Sequence, residues 1–377
     1  MVAAGGLANE ADRRFMDAAI RLSRRHLGLT DTNPSVATLI VRHDDAGSRI
    51  VGRGVTAIGG RPHAEAEALA EAGEAARGAT AYVTLEPCAH HGRTPPCANA
   101  LVSAGIARVV GAAADPDPRV SGKGYAILRD AGVEVVEGVL ADRAADLMRG
   151  YLTRSEKKRP EVTLKLAVSA DGMIGRTGAA PGQGQIAITG ETARRQVHLM
   201  RAESDAILVG IGTALADDPS LTCRLPGLDR RSPTRIVLDR DMRLPASSAL
   251  VRSARDVPVL VTIAGDCPSQ RRAELAGAGV SFLAVDVHEG HIALPELLDD
   301  LAARGIATLM VEGGAYTARA FLGEGLVDRL ALFSGPVEIG AGGIATPIDP
   351  AHTLPGFSLL REARFGADLY REYVRNA

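Results

Sequence analysis

Apolar positions along the chain alternate between two spacings. Residues 13–27 place Phe15, Ala18, Ala19, Ile20 and Leu22 at helical intervals, which predicts an amphipathic helix. Residues 36–41 (Val-Ala-Thr-Leu-Ile-Val) and 49–56 predict two strands across a polar turn at 44–48. Residues 63–76 are rich in Ala and Glu and predict a helix. Strands are then expected at 80–85, 107–114 and 133–139, with helices at 98–104, 124–131 and 141–152. The second half continues the pattern. Strands are expected at 162–168, 205–209, 235–238, 257–263, 280–285, 308–311 and 330–333, and strand-like segments near Phe357 and Leu369. Helices are expected at 191–202, in the stretch ending at 278, at 295–304 and at 316–322, with Thr189 as the N-cap of the first. Such alternation implies an α/β class with mainly parallel sheets between helices. The charged stretch 154–160, ending in Pro160, reads as a linker between domains at 11–153 and 160–377.

Composition narrows this picture. A chain of 377 residues suits two domains, and 46% hydrophobic residues suffice for two cores. With no Trp and only 3% aromatics, those cores must be aliphatic. The net charge of −2 argues against a nucleic-acid partner, and no basic, aromatic-studded face is evident. No apolar run is long enough for a membrane span, and no signal peptide is expected. The four cysteines, Cys88, Cys97, Cys223 and Cys267, do not form a disulfide framework, so a reducing cytoplasm is the expected location.

The candidate chemistry is concentrated between His63 and Cys97. His63-Ala64-Glu65 opens the predicted helix, and Pro87-Cys88 ends a predicted strand. Cys97 follows Pro95-Pro96 at the start of the next helix, so both thiols would lie at or near helix starts, where the dipole favours thiolate. A catalytic zinc takes three protein ligands and leaves a position for water. His63, Cys88 and Cys97 are the expected ligands. Glu65 is the expected proton shuttle, as in the H-x-E…P-C-x-x-C deaminase pattern. The spacing here differs, with eight residues between the thiols. A structural site would more often use four protein ligands, and His90 or His91 could supply the fourth. A lone His is usually structural, and His26, His43, His198, His288, His291 and His352 receive that reading. A nucleic-acid base deaminase and a zinc-stiffened ligand sensor are the other readings; the composition argues against the first and Glu65 against the second.

Beyond these residues the chain resembles a known family. Thr32-Asn33-Pro34, His63-Ala64-Glu65, the run Glu86 to Cys97 with Thr94-Pro95-Pro96-Cys97, and Asp115-Pro116-Asp117-Pro118 are similar to the deaminase domain of the bifunctional riboflavin-biosynthesis deaminase/reductases. The resemblance implies a cytidine-deaminase-like α/β/α domain in which Asn33, His90 and Arg93 touch substrate. Thr56 stands where many members carry a substrate-contacting His, and Ala37 where Gly is usual.

Val311-Glu312-Gly313-Gly314 before a helix could form an anion site, though alone this is weak, and no G-x-G-x-x-G is present. Together with Lys165, Ser169-Ala170-Asp171-Gly172, the run Asp205 to Thr213 and Ala216-Asp217-Asp218-Pro219, it resembles the reductase domain of the same family. That resemblance implies a dihydrofolate-reductase-like α/β fold taking hydride from NADPH. Carried over by position, Ala167, Thr213, Asp217 and 314–320, beginning at Gly314, would contact the cofactor. Leu221, Arg224 and Glu312 would contact substrate, Arg224 through its phosphate. Lys165 and Glu312 would stabilise or protonate the imine that accepts hydride. Gln185 and Ala187 occupy the Ser and Trp positions of a frequent Ser-x-Trp-Ile-Thr, one facing substrate and the other cofactor. Arg240 replaces a frequent Ser and could pair with the cofactor's 2′-phosphate. The family implies Zn2+ and NADPH as cofactors, a pyrimidine ribotide substrate, no nucleic-acid or membrane partner, and a homo-oligomer.

Overall fold

The computed structural model describes residues 8–45, 47–90, 95–177, 186–265, 268–349 and 354–376. The chain divides into two compact units, Met1–Lys158 and Arg159–Ala377.

The first unit begins with α1 (Glu10–Ser23). It starts earlier than the apolar spacing predicts because Asn9 and Asp12 form a capping box, each side chain accepting the other's backbone N–H. Then follow β1 (Ala37–Asp44), β2 (Gly47–Val55), α2 (Ala64–Ala72), β3 (Thr80–Leu85), α3 (Cys97–Ser103), β4 (Arg108–Ala113), α4 (Lys123–Asp130) and β5 (Glu134–Val136). The expected 141–152 helix is two helices, α5 (Ala141–Leu147) and α6 (Arg149–Lys157). Helix α6 therefore runs through most of the stretch read as a linker and stops at Lys158, in left-handed conformation at φ 60.

The sheet order is β2-β1-β3-β4-β5. Strands β3, β4 and β5 are parallel, whereas β1 is antiparallel to both neighbours. Apolar residues of α1 (Met16, Ala19, Ile20) pack with β3 and β4 residues such as Val83 and Val109. Asp12, fully enclosed, ties α1 to β4 by a two-pronged pair with Arg108 at 2.6 and 2.9 Å, and Tyr82 Oη donates to it at 3.1 Å.

The second unit contains β6 (Glu161–Val168), β7 (Met173–Arg176), α7 (Glu191–Ala202), β8 (Ala206–Gly210), α8 (Ile211–Asp217), β9 (Thr234–Leu238), α9 (Ala249–Arg252), β10 (Val259–Ile263), α10 (Ser269–Gly277), β11 (Ser281–Ala284), the hairpin β12 (Val287–His288) and β13 (His291–Ile292), α11 (Leu294–Ala303), β14 (Thr308–Val311), α12 (Ala315–Gly323), β15 (Arg329–Ser334), β16 (Gly343–Ala345), β17 (Phe357–Phe365) and β18 (Asp368–Arg375). Helix α8 was not visible in the apolar spacing. The cap of α7 is Gly190 rather than Thr189, and its N–H donates to the Asp368 carboxylate at 2.8 Å.

Nine strands form one sheet in the order β11-β10-β9-β8-β14-β6-β15-β18-β17. Pairing is parallel from β11 to β15 and antiparallel at β18 and β17. The parallel part places the carboxyl ends of β6, β14, β8 and β9 side by side. Open α/β sheets bind ligands at such an edge.

Candidate active sites

In the first unit, α2 crosses β2 at close range. A Cβ on Gly54 would lie 2.0 Å from Ala64 O, and one on Gly52 2.2 Å from Ala68 O. These two glycines let the helix backbone rest on the strand. His63 is the N-cap of α2, and Glu65 lies in its first turn.

Strand β3 delivers Cys88 through Glu86-Pro87. The Glu86 carboxylate accepts N–H groups from Gly122 and Gly124 at 3.1 Å each, at the start of α4. Gly124 must lack a side chain, since a Cβ there would lie 1.9 Å from Pro87 O. Glu86 thus locks the turn that carries the first thiol, a role that only its place before Pro-Cys could have signalled. Helix α3 opens on Cys97, whose N–H donates to Cys88 Sγ at 3.2 Å.

The three expected donors converge. His63 Nδ1 lies 3.4 Å from Cys97 Sγ and 3.8 Å from Cys88 Sγ. One ligand atom from each residue falls within 4.8 Å of the others, and among the described residues no fourth joins them. His90 is outside the group, its Nδ1 buried without a hydrogen-bond partner among the described residues. His91 and Arg93 lie outside the described residues.

Two sulfurs and one imidazole nitrogen, with no fourth donor among the described residues, suit a four-coordinate zinc that keeps a position for water. The electrostatics agree. The hydrogen bond with Cys97 brings the Cys88 thiol down to about 4, while Cys97 is pushed up, and the hydrogen bond to Cys88 raises His63. These donors share protons that a divalent cation would displace. Glu65, only 4% exposed, is pushed up to about 7 by burial and by Cys88, against the pull of His63.

Asn33 sits half-buried against Gly60, where φ is +83 and a Cβ would come within 2.4 Å of Asn33 Nδ2. Thr56 is buried, and its hydroxyl accepts the Val36 N–H at 3.0 Å. It joins the start of β1 to the end of β2.

The second unit holds a cavity of about 1850 Å³ at the carboxyl edge of its parallel strands. Lys165, Ala167, Ala187, Thr213, Asp217, Arg224, Arg240, Glu312 and Gly314 all line it. Leu221 does not: its side chain is buried in the apolar cluster with Val209 and Leu244. Gln185 lies outside the described residues. At the frequent Trp position, Ile186, Ala187 and Ile188 form an aliphatic wall.

At the β6–β14 end, Glu312 stands between two cations. Arg201 grips it with two bonds, at 2.7 and 3.0 Å, and Lys165 Nζ lies 3.5 Å away. Burial opposes its charge, but Arg201 and Lys165 outweigh burial and bring Glu312 down to about 2. Arg201 was missed in the sequence, where one Arg in an Arg-rich helix carries no distinguishing mark. His198, read as structural, also lines the cavity, as does His291. Burial, then Arg201 and Arg224, lower His198.

Toward β8, the glycines bring elements close. A Cβ on Gly210 would lie 2.6 Å from Thr317 Oγ1, and one on Gly313 2.5 Å from Thr317 Cβ. The Gly314 N–H donates to Thr213 Oγ1 at 3.0 Å. Past β9, Arg240 pairs with Asp241 at 3.2 Å on the cavity wall.

The two sites define a deaminase of the zinc-binding type joined to a reductase. Comparisons with known proteins agree. Residues 9–113 match the cytidine and deoxycytidylate deaminase zinc-binding region, and residues 160–369 match the RibD C-terminal domain. The riboflavin biosynthesis protein RibD of Escherichia coli (strain K12) is 40% identical over 365 residues, covering 93% of this chain and 94% of that protein. The RibD of Aquifex aeolicus is 39% identical over 337 residues, covering 89% and 90%. A solved structure of Acinetobacter baumannii RibD superposes with a TM-score of 0.83 at 40% identity, covering 97% of this chain and 99% of that one. A diaminohydroxyphosphoribosylaminopyrimidine deaminase/5-amino-6-(5-phosphoribosylamino)uracil reductase from Thermotoga maritima gives 0.82 at 32% identity with the same coverage. The chain belongs to the RibD family of bifunctional riboflavin-biosynthesis enzymes, with a zinc-dependent deaminase half and an NADPH-dependent reductase half.

Proposed function

We propose that the first half deaminates 2,5-diamino-6-ribosylamino-4(3H)-pyrimidinone 5′-phosphate, and that the second reduces the resulting 5-amino-6-(5-phosphoribosylamino)uracil to its ribitylamino form. The convergence of His63, Cys88 and Cys97 beside enclosed Glu65 carries this reading. His63, Cys88 and Cys97 would hold zinc, which when bound would supply a Lewis acid that lowers the pKa of water toward about 7. Glu65 takes one proton from the attacking water and passes it to the ring nitrogen, then takes the second proton from the newly added hydroxyl and passes it to the amino group, which leaves as ammonia. Burial raises this carboxyl, which suits a group that must both take and give protons. Asn33, His90 and Arg93 orient the ribotide. Chelation should abolish ammonia release and zinc should restore it. Ammonia release that survives complete metal removal would overturn the assignment.

In the second half, NADPH supplies the hydride when bound. Arg201 and Lys165 favour the charged form of Glu312, and its part is to hold Lys165 in place. Lys165 gives the proton that balances the hydride. Arg224 meets the substrate's phosphate, where a guanidinium matches the geometry. Ala167, Ala187, Thr213, Asp217 and Gly314 bound the cofactor, with Arg240 at its 2′-phosphate end. This direction follows the strand ends: chemistry lies at β6 and β14, and an extended dinucleotide would cross β8 to reach β9.

The enzyme acts in the cytoplasm as a homo-oligomer. No helix among the described residues is long and apolar enough to cross a membrane, and the site requires free thiols. The edge strand β17 exposes Leu359 and Leu360, an apolar surface that a second copy would cover.

A further inference from the structure

Arg235, in β9, is the largest wholly buried side chain among the described residues, and it forms no ion pair among them. Asp256 acts on it only from a distance. Burial lowers it to about 10, so it remains charged at neutral pH. A buried guanidinium without an adjacent carboxylate is costly unless its hydrogen bonds are satisfied. Here they go to backbone and hydroxyl oxygens. Nη1 donates to Ser220 O at 3.1 Å and Ser253 Oγ at 2.7 Å; Nη2 donates to Ser253 O at 3.0 Å and to Val257 O. Nε has no partner.

Ser220 begins the loop that carries Arg224. That loop is fixed from several sides. Arg201 Nη1 donates to Thr222 O at 3.1 Å, the Arg224 N–H reaches His198 Nδ1 at 3.3 Å, and the Cys223 N–H donates to Ser232 Oγ at 3.1 Å. Between the anchors, Leu221 is held at φ 54, a conformation that a branched side chain adopts only under constraint. Arg224 Nη1 in turn donates to Ser220 Oγ at 2.5 Å, so the residue whose carbonyl Arg235 holds also steers Arg224.

We propose that Arg235 is a positioning residue of the reductase: from beneath the 220–224 loop, it sets where Arg224 meets the phosphate of the substrate. The proposal rests on the reading of Arg224 as the phosphate ligand. The charge-assisted bond to Ser220 O is the part of this network that reaches the substrate loop.

The test uses the full chain, loaded with zinc and NADPH, and the deaminated ribotide as substrate. KM and kcat of the reductase are compared for wild type, Arg235→Met, Arg235→Lys, Arg224→Ala and the double variant Arg224→Ala/Arg235→Met. Arg235→Met should raise KM about tenfold, the weight of one charge-assisted hydrogen bond, with kcat and NADPH affinity little changed. Arg235→Lys should recover part of the loss. In the Arg224→Ala background Arg235→Met should add nothing to KM. A fall in kcat and thermal stability at unchanged KM would overturn the proposal by showing a purely structural role. An undiminished Arg235→Met effect on KM without Arg224 would also overturn it. If Arg224→Ala leaves KM at the wild-type value, it is the phosphate assignment that fails. Should Arg235→Met not fold, Arg235→Lys and Ser220→Ala replace it, each expected to raise KM; wild-type KM in both would overturn the proposal.

Discussion

Glu65 and Glu312 are both almost fully enclosed, yet they lie in opposite electrostatic settings. Glu65 is pushed up to about 7, because burial and the neighbouring Cys88 thiolate disfavour its charge. Glu312 is brought down to about 2, because Arg201 and Lys165 more than offset its burial. The deaminase half sets its carboxylate beside three donors of the kind that hold a metal. The reductase half completes its charge cluster from its own side chains. One carboxylate is suited to move protons and the other to hold a cation still.

The sharpest way to break this comparison is to neutralise each glutamate in turn. Glu65→Gln should lower ammonia release by about 1000-fold, within the range for losing a general acid–base. Zinc content and NADPH oxidation on supplied deaminated ribotide should be unchanged. Loss of zinc in that variant would show that Glu65 belongs to the metal site rather than to proton transfer.

Glu312→Gln should act differently, leaving Arg201 and Lys165 enclosed without their counter-charge, a change that costs about 3–5 kcal/mol in buried pairs. Calorimetry should show a transition lowered by about 10 °C, with ammonia release intact. The pH dependence has a definite sign. A carboxyl lowered on folding contributes stability above its unfolded pKa, and that contribution is lost as pH falls from about 4.5 toward 2. The gap in melting temperature between wild type and Glu312→Gln should therefore shrink below pH 4.5. A gap constant down to pH 2 would contradict the ion-pair account.

Smaller changes sharpen the edges of the two sites. Arg240→Ser should reduce the preference for NADPH over NADH about tenfold, and an unchanged ratio would remove Arg240 from the 2′-phosphate. Thr56→Val should cost about 1 kcal/mol through the lost acceptor for the Val36 N–H, with the deaminase KM unaltered. A raised KM would return Thr56 to the substrate.

The two sites also differ in how far the sequence reveals them. The deaminase donors fall within one stretch of 35 residues, counted from His63 to Cys97, and their residue types specify the chemistry. Glu86 stands there within the motif but was given no role, because it holds a backbone turn and only its place before Pro-Cys signals that. The reductase site is gathered from the ends of β6, β14, β8 and β9, far apart along the chain. Most of its residues were reached through family resemblance rather than through spacing. Arg201 and His198 could not be told from other charged residues of α7 until the fold turned that face toward the cavity. Leu221 shows the reverse: its position matched the family, but its side chain belongs to the core. The strands were legible from their apolar runs. The capping box at Asn9, the break at Met148 and the short helix α8 depend on local backbone contacts that apolar spacing does not encode.

The most direct test supplies the zinc-loaded chain with 2,5-diamino-6-ribosylamino-4(3H)-pyrimidinone 5′-phosphate and NADPH, while ammonia and NADPH are followed together. Ammonia should appear first and NADPH oxidation should follow it toward equal amounts; Glu65→Gln should silence both until deaminated ribotide is added. NADPH oxidation on the undeaminated substrate, or ammonia release with no subsequent oxidation, would contradict the two-step account.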